Sequence, residues 1–335
     1  MSRLATLAVS GALATGFGIV SESQPMTTDL SKIYLHRTAE DYPLGTKLRD
    51  IDPFVACSTG VVTAENSPPG LTRSFQTAIA KGSEGWGSWG FAIESGLPRL
   101  VSGDEVWFRT AVFFPHDFVF ASGHGSFKTF RIGRRADGNN RGYLDWQIKN
   151  DQNWQSNIEY SDDVGWVQHP GGKVVAGEWQ FFEVYSRLHK TDGVMRIWRN
   201  SVLFGERKGV DTLPHGSYMD RLLWLTYVNG GALRTQTMNF TEFAVAVHSQ
   251  THDDRPNLSL DAGGNYLIGN AIKGLDVEPP EPPVEPPVEP PVEPPIDPEP
   301  PETGTAILEV PGTKIHVTVN TVTVQTDKNL VVLDA

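Results

Sequence analysis

Four cations crowd into eight residues of this chain: Lys128, Arg131, Arg134 and Arg135. They follow a glycine-punctuated stretch, Ser122-Gly123-His124-Gly125, and an aromatic run that ends at Phe114-Pro115. A little further on, Tyr143, Asp145, Gln147 and Lys149 recur at every second position. Guanidinium, ammonium and amide groups presented together neutralise and hydrogen-bond an anion. The set reads as a site for an anionic ligand. The same set also builds a solvated, salt-bridged sheet face, with Asp145 and Lys149 as a cross-strand ion pair. Both readings stand at this level.

The elements that must position these residues are strands. From Glu105 to Phe114, Trp107, Arg109, Ala111 and Phe113 alternate with Phe108, Thr110, Val112 and Phe114. Aromatic residues on both faces predict a central strand covered on both sides. Pro115 ends it, having no N–H to give to a ladder. The basic residues fall on the next strand, where a straight run sets a constraint. Lys128 shares parity with Phe130 and Ile132, which belong in a core, and Arg131 faces the other way. Both reach one cleft only where Lys128 precedes the strand, in the loop. Over 141–149 the alternation is clean: Leu144, Trp146 and Ile148 go to the core, and Tyr143, Asp145, Gln147 and Lys149 line the opposite face.

Further short strands are expected at 60–64, 72–79, 90–94, 155–160, 177–188, 194–200, 222–228 and 239–248, with Asp192-Gly193 as a hairpin turn. No stretch of ten or more residues carries a helical period. The expected fold is all-β, an antiparallel sandwich or jelly roll over 51–250. An irregular segment at 21–50 precedes it and a trailing segment at 251–277 follows.

Composition sets the outer bounds. The formal charge of the 335 residues is −12, but residues 278–302 hold eight carboxylates and no Lys or Arg, so the rest carries −4. Nucleic acid is excluded as a partner on that balance. The same segment holds 13 of the 24 prolines in a Glu-Pro-Pro-Val repeat. Paired prolines and like charges keep such a spacer extended over roughly 75–80 Å. Beyond it, residues 303–335 read as a small β-module of three strands, 306–310, 314–325 and 330–333. Too short to bury a core alone, it is expected to pair with another copy or another protein.

The first twenty residues read either as a secretory signal with a cleavage site at Ala12-Leu13-Ala14, or as a small-residue docking arm. They are too weakly apolar for a stable membrane span. Cys57, the single cysteine, reads as a buried core thiol. His116, His124, His189, His215 and His248 show no ligand spacing, so no metal or cofactor is expected. A structural Ca²⁺ is allowed by such a fold, with Asp162-Asp163 and Asp253-Asp254 as the nearest approach to an acidic loop. Trp86, Trp89, Trp154 and Trp166 lie in glycine-rich or polar stretches, where an indole offers a flat face to a sugar ring or packs a loop base.

Three stretches resemble the family 14 polysaccharide lyases and their glucuronan lyase relatives. They are Glu105–Arg109 through Phe113–Phe118, Gly177-Glu178-Trp179 through Trp198, and Leu223–Gly231 with Met238–Phe243. The resemblance covers about residues 85–250 and implies a concanavalin A-like β-jelly roll, a two-sheet antiparallel sandwich. It implies β-elimination on polyuronates: Arg131 and Gln147 on the carboxylate, with Arg134, Arg135, Asp145 and Lys149 beside them. Lys128 or Lys149 would be the base and Tyr143 or Tyr227 the acid. Trp86 and Trp89 would touch substrate. Lys128 falls at the family's lysine, in Gly125–Phe130, without the flanking Gly-Gly and Leu-Pro-Gly. Three functions are therefore carried forward. One is a glycan-binding attachment protein, extracellular, on a cell surface or on a virion, with anionic polysaccharide as partner. Another is an active polyuronate lyase. The third is an assembly protein with no glycan ligand.

Overall fold

The computed structural model describes residues 28–84, 89–93, 97–120, 125–159 and 165–270, together with the backbone of four strands between 306 and 334. The expected leader, Trp86, His124, Asp162-Asp163 and the 278–302 spacer lie outside the described residues. The chain divides into two units, Met1–Val277 and Glu278–Ala335.

The first unit opens with β1 (Leu35–Arg37), β2 (Val61–Thr63), β3 (Ser74–Ile79), β4 (Phe91–Ile93) and β5 (Glu105–Phe113). Next come β6 (Ser126–Ala136), β7 (Asn139–Lys149), β8 (Trp154–Ile158), β9 (Val167–His169) and β10 (Trp179–Arg187). The set closes with β11 (Gly193–Arg199), β12 (Val202–Val210), β13 (Tyr218–Val228), β14 (Gln236–His248), β15 (Ser259–Leu260) and β16 (Tyr266–Leu267). The larger sheet runs β12-β11-β10-β5-β14-β3-β2, with β1 also on β14. The smaller runs β4-β13-β6-β7-β8-β9. This is the two-sheet antiparallel sandwich, of jelly-roll kind, that the strand pattern predicts.

Period-two alternation builds the shared core. Phe130 and Ile132 of β6, Leu144, Trp146 and Ile148 of β7, and Phe108 and Val112 of β5 all lie in it. Phe108 meets Phe130 edge-on across the two sheets at 4.9 Å, and Trp224 lies 4.5 Å from Phe130. Removing such a ring costs about 3–5 kcal/mol, because burial and cavity terms add. Every residue from Val106 to Val112 is buried, since β5 lies between β10 and β14.

The outer face of β5 is covered by the segment 258–269. Leu258, Leu267 and Ile268 pack there with Trp107, Tyr185 and Trp198. The backbone of this strap is clamped by an ion-bearing pair that faces across β10 and β5, Glu183 and Arg109. The Glu183 carboxylate accepts the backbone N–H groups of Ile268 (2.7 Å) and Gly269 (2.9 Å), and Arg109 donates to the carbonyl oxygen of Gly269. Burial pushes the Glu183 carboxyl up to about 7, against the pull of the two N–H donors and Arg109.

Several elements differ from expectation. β1, β9, β12, β15 and β16 are strands that the sequence did not announce; β12 is an edge strand whose side chains are mostly half-exposed, so it carries no core pattern. In the second unit the single strand expected over 314–325 is two antiparallel ones. That unit is a four-stranded meander of β17 (Ala306–Val310), β18 (Thr313–Thr318), β19 (Thr321–Thr326) and β20 (Leu330–Asp334). Thr318 stands opposite Thr321 at the reversal.

Candidate functional site

The outer face of the smaller sheet carries polar residues in transverse rows fixed by strand register. One row reads Tyr227, Lys128, Gln147, Gln155 and Gln168, from β13 across β6, β7 and β8 to β9. The next reads Leu223, Arg131, Asp145 and Asn157. A third reads Arg221, Gly133 and Tyr143, with the N–H of Glu159 on the carbonyl of Tyr143.

Lys128 lies inside β6 rather than in the loop before it, and still shares this face with Arg131. Register passes from Lys128 opposite Gln147 to Phe130 opposite Trp146, so Thr129 is the extra residue of a β-bulge. The bulge resets parity, sending Phe130 to the core and Arg131 outward. On the other side β13 makes a matching irregularity between Trp224 and Tyr227, with Leu225 at φ 52°.

The charged groups converge on two carboxyls. Arg131 Nε donates to Asp145 Oδ1 at 2.5 Å, and its NH2 lies 3.4 Å from Glu159 Oε1. Lys128 Nζ stands 3.2 Å from Glu159 Oε1 and 3.9 Å from Asp145 Oδ2. Tyr143 lies beneath Arg131, whose guanidinium carbon is 3.7 Å from the ring centre, and accepts a hydrogen bond from Arg221 NH2 at 2.8 Å. Gly133 makes that crossing possible: a Cβ there would stand 2.8 Å from Arg221 Nε. Lys128 lies 5.5 Å above the Tyr227 ring.

Asp145 is completely buried, and burial drives its carboxyl up to about 7 against Arg131, with Glu159 adding to the rise and Lys128 opposing it. For Glu159, burial works upward, but the hydrogen bond from Asp145 and the charges of Lys128 and Arg131 bring it below the ordinary value. Of the two neighbouring acids, Asp145 is thus the one that keeps a proton toward neutrality, and Glu159 the one that stays ionised. Two cations, Lys128 and Arg131, then face the charge of Glu159.

Beside them lie amide atoms with nothing to bind. Gln147 is fully buried and neither its Oε1 nor its Nε2 has a partner; Asn157 Oδ1 is likewise unpartnered. A buried amide left unsatisfied is costly, and such groups cluster where a ligand or water completes them.

Of the expected site residues, Lys128, Arg131, Tyr143, Tyr227, Asp145 and Gln147 come together here. Lys149 is one position further along the same face, opposite Ser126 and 3.4 Å from Asp151 rather than paired with Asp145. Arg134 stands apart: it is fully buried, in register with core residue Met219, and donates to the carbonyls of Asp211 and Glu159. Arg135 pairs with Asp220 at 3.3 Å near the end of the strand. Trp89 is a core residue packed 5.8 Å from Phe127, and Trp154 is buried against Phe182. Glu159, Asn157 and Arg221 were missed by the sequence reading. For the first two the signal was present, because Gln155, Asn157 and Glu159 alternate with Trp154, Ser156 and Ile158. Among the described residues, no cluster of three or more His, Cys, Asp or Glu side chains is arranged to hold a metal.

No family model matches the sequence, and no curated protein matches it. Among solved structures the chain is similar to an endo-β-1,4-glucuronan lyase from the fungus Trichoderma reesei, at 14% identity and a TM-score of 0.45, over 64% of this chain and 95% of that one. An alginate lyase from a Chlorella virus gives 14% identity and 0.44, over 56% and 89% of the two chains. A glycoside hydrolase family 131 catalytic domain from Coprinopsis cinerea gives 8% and 0.36, over 70% and 100%. Likeness at this level assigns neither activity nor ligand.

Proposed function

We propose that the sandwich binds an acidic polysaccharide on the polar face of the smaller sheet. The observation that carries this reading is the convergence of Lys128, Arg131, Tyr143 and Gln147 on one face, with the Gln147 amide fully buried and unpartnered. A uronate ring brings a carboxylate for the cations and hydroxyls for the amides. The protein acts in this reading as an attachment module, outside the cell or on a virus particle. The Glu-Pro-Pro-Val spacer and the separate four-stranded sheet after it support that role. Titration calorimetry with alginate and glucuronan oligomers tests it, against a neutral glucan as control. Equal affinity for the neutral glucan would sink it.

A second reading, elimination chemistry, is favoured by the raised Asp145 carboxyl beside Glu159, with Tyr143 under Arg131 and Tyr227 under Lys128. In that reaction a base takes the C5 proton, the C4–C5 double bond forms, and the C4–O4 bond breaks with a proton delivered to O4. Ultraviolet absorbance of the unsaturated product decides between binding alone and turnover. Lys128 is already engaged by Glu159, Asp145 and the face of Tyr227 rather than standing open to a substrate C–H, which favours binding alone.

A further inference from the structure

Trp166 is the exception among the tryptophans. It is 49% exposed, whereas every other described tryptophan is at most 8% exposed. Leaving an indole in water forgoes a large apolar contribution, so its position calls for a reason. Among the described residues its indole makes no ring contact and its Nε1 no hydrogen bond.

Register says where it stands. Val167 pairs with Ser156 and Gln168 with Gln155; Trp166 immediately precedes β9, and continuing this register by one position sets it across from Asn157 and, by alternation, on the outer face of Gln168. It thereby extends the row of Arg131, Asp145 and Asn157 by one strand. Two further contacts hold the place. Gln168 Nε2 donates to Gln155 Oε1 at 3.1 Å, tying the edge strand to β8 on this face, and Arg207 donates to the carbonyl of Gly165 at 3.4 Å. Asn157, which the continued register sets across from Trp166, is itself 91% buried with an acceptor oxygen left unpartnered.

We propose that Trp166 and Asn157 form a separate sugar subsite, in which one pyranose ring lies against the indole while a hydroxyl donates to Asn157 Oδ1. The proposal rests on the glycan-binding reading and adds to it a direction and a minimum length. β6 and β9 are three strand spacings apart, about 14 Å, a span that takes more than one sugar ring. The ligand is therefore a polymer laid across the strands, with an acidic ring at Lys128 and Arg131 and a ring further along at Trp166.

The test compares a uronate disaccharide with long oligomers of the same uronate on the whole chain, for wild type, Trp166→Ala, Trp166→Phe and Arg131→Met. Wild type should gain affinity with length. W166A should lose roughly 3- to 12-fold for long oligomers and leave the disaccharide unchanged, with W166F keeping most of the gain. R131M should weaken both. A W166A protein that keeps the full length-dependent gain overturns the subsite while leaving the charged site intact. A wild type that binds neither oligomer overturns both. As a surface residue, Trp166 can be replaced without disturbing the core, and an unchanged melting temperature verifies it.

Discussion

Lys128 and Arg131 stand side by side on one face of β6 because Thr129, between them, is the extra residue of a bulge. Without it, three residues of separation would put the two cations on opposite faces. The bulge thus decides whether the molecule has a cationic hollow at all, which fits the tendency of bulges to re-aim side chains beside functional sites.

Replacing Lys128 with Met keeps the stem over Tyr227 and removes the charge. Affinity for an acidic oligomer should fall about tenfold, the worth of one charge-assisted hydrogen bond. Thermal stability should hold within a few degrees. Calorimetry and a melting curve check both, and undiminished affinity removes Lys128 from the site.

Arg131 is nearly as buried as the carboxyl it serves. Arg131→Met strands Asp145 and should cost about 3–5 kcal/mol in denaturant unfolding at pH 8. The loss should shrink near pH 5, where Asp145 keeps its proton. The double variant Arg131→Met with Asp145→Asn should recover most of the stability; a double variant as weak as the single one argues against a charge effect.

The raised Asp145 carboxyl sets a pH dependence whose sign is fixed. Its proton is held more tightly in the folded chain than in the unfolded one, so its contribution to stability is complete below the ordinary carboxyl value. That contribution is lost as pH rises through about 7. Over the same range the acid pair gains a negative charge and repels a polyanion. Both melting temperature and affinity for acidic glycan should therefore decline from pH 5 to pH 8; Asp145→Asn should flatten the affinity curve and lessen the melting slope, the remainder of which belongs to the raised Glu183 carboxyl. A wild-type affinity indifferent to pH contradicts the raised Asp145 carboxyl.

Glu183→Ala removes the acceptor for two backbone amides at the far side of the sandwich. A cost of about 1–3 kcal/mol is expected, with hydrogen exchange at Ile268 and Gly269 strongly accelerated. Glycan affinity should be unchanged, because Glu183 lies on the opposite outer face from Lys128.

The sequence revealed the face on β7 because both of its faces declare themselves: Leu144, Trp146 and Ile148 against Tyr143, Asp145 and Gln147. It could not reveal the bulge, since a bulge is settled by the pairing partners on β7 and β13 and not by Thr129 itself. Arg134 looked equivalent to Arg131 within a basic run, and only its register with Met219 shows it facing inward. The Trp89 stretch looked like a polar loop, yet packing on Phe127 buries the indole. Glu159 and Trp166 were within reach of the same alternation rule. The strands that they flank, β8 and β9, are only five and three residues long, and so short a run gives periodicity little weight.

The strap that closes over β5 has a mechanical corollary. The chain reaches Gly269 on the side of the sandwich that faces away from Lys128 and Arg131, fastened there by Glu183 and Arg109. Tension applied from the C-terminal direction is therefore met first by that fastening and by the long central strands β5 and β10. The three-residue edge strands of the opposite sheet, β4 and β9, are spared the pull.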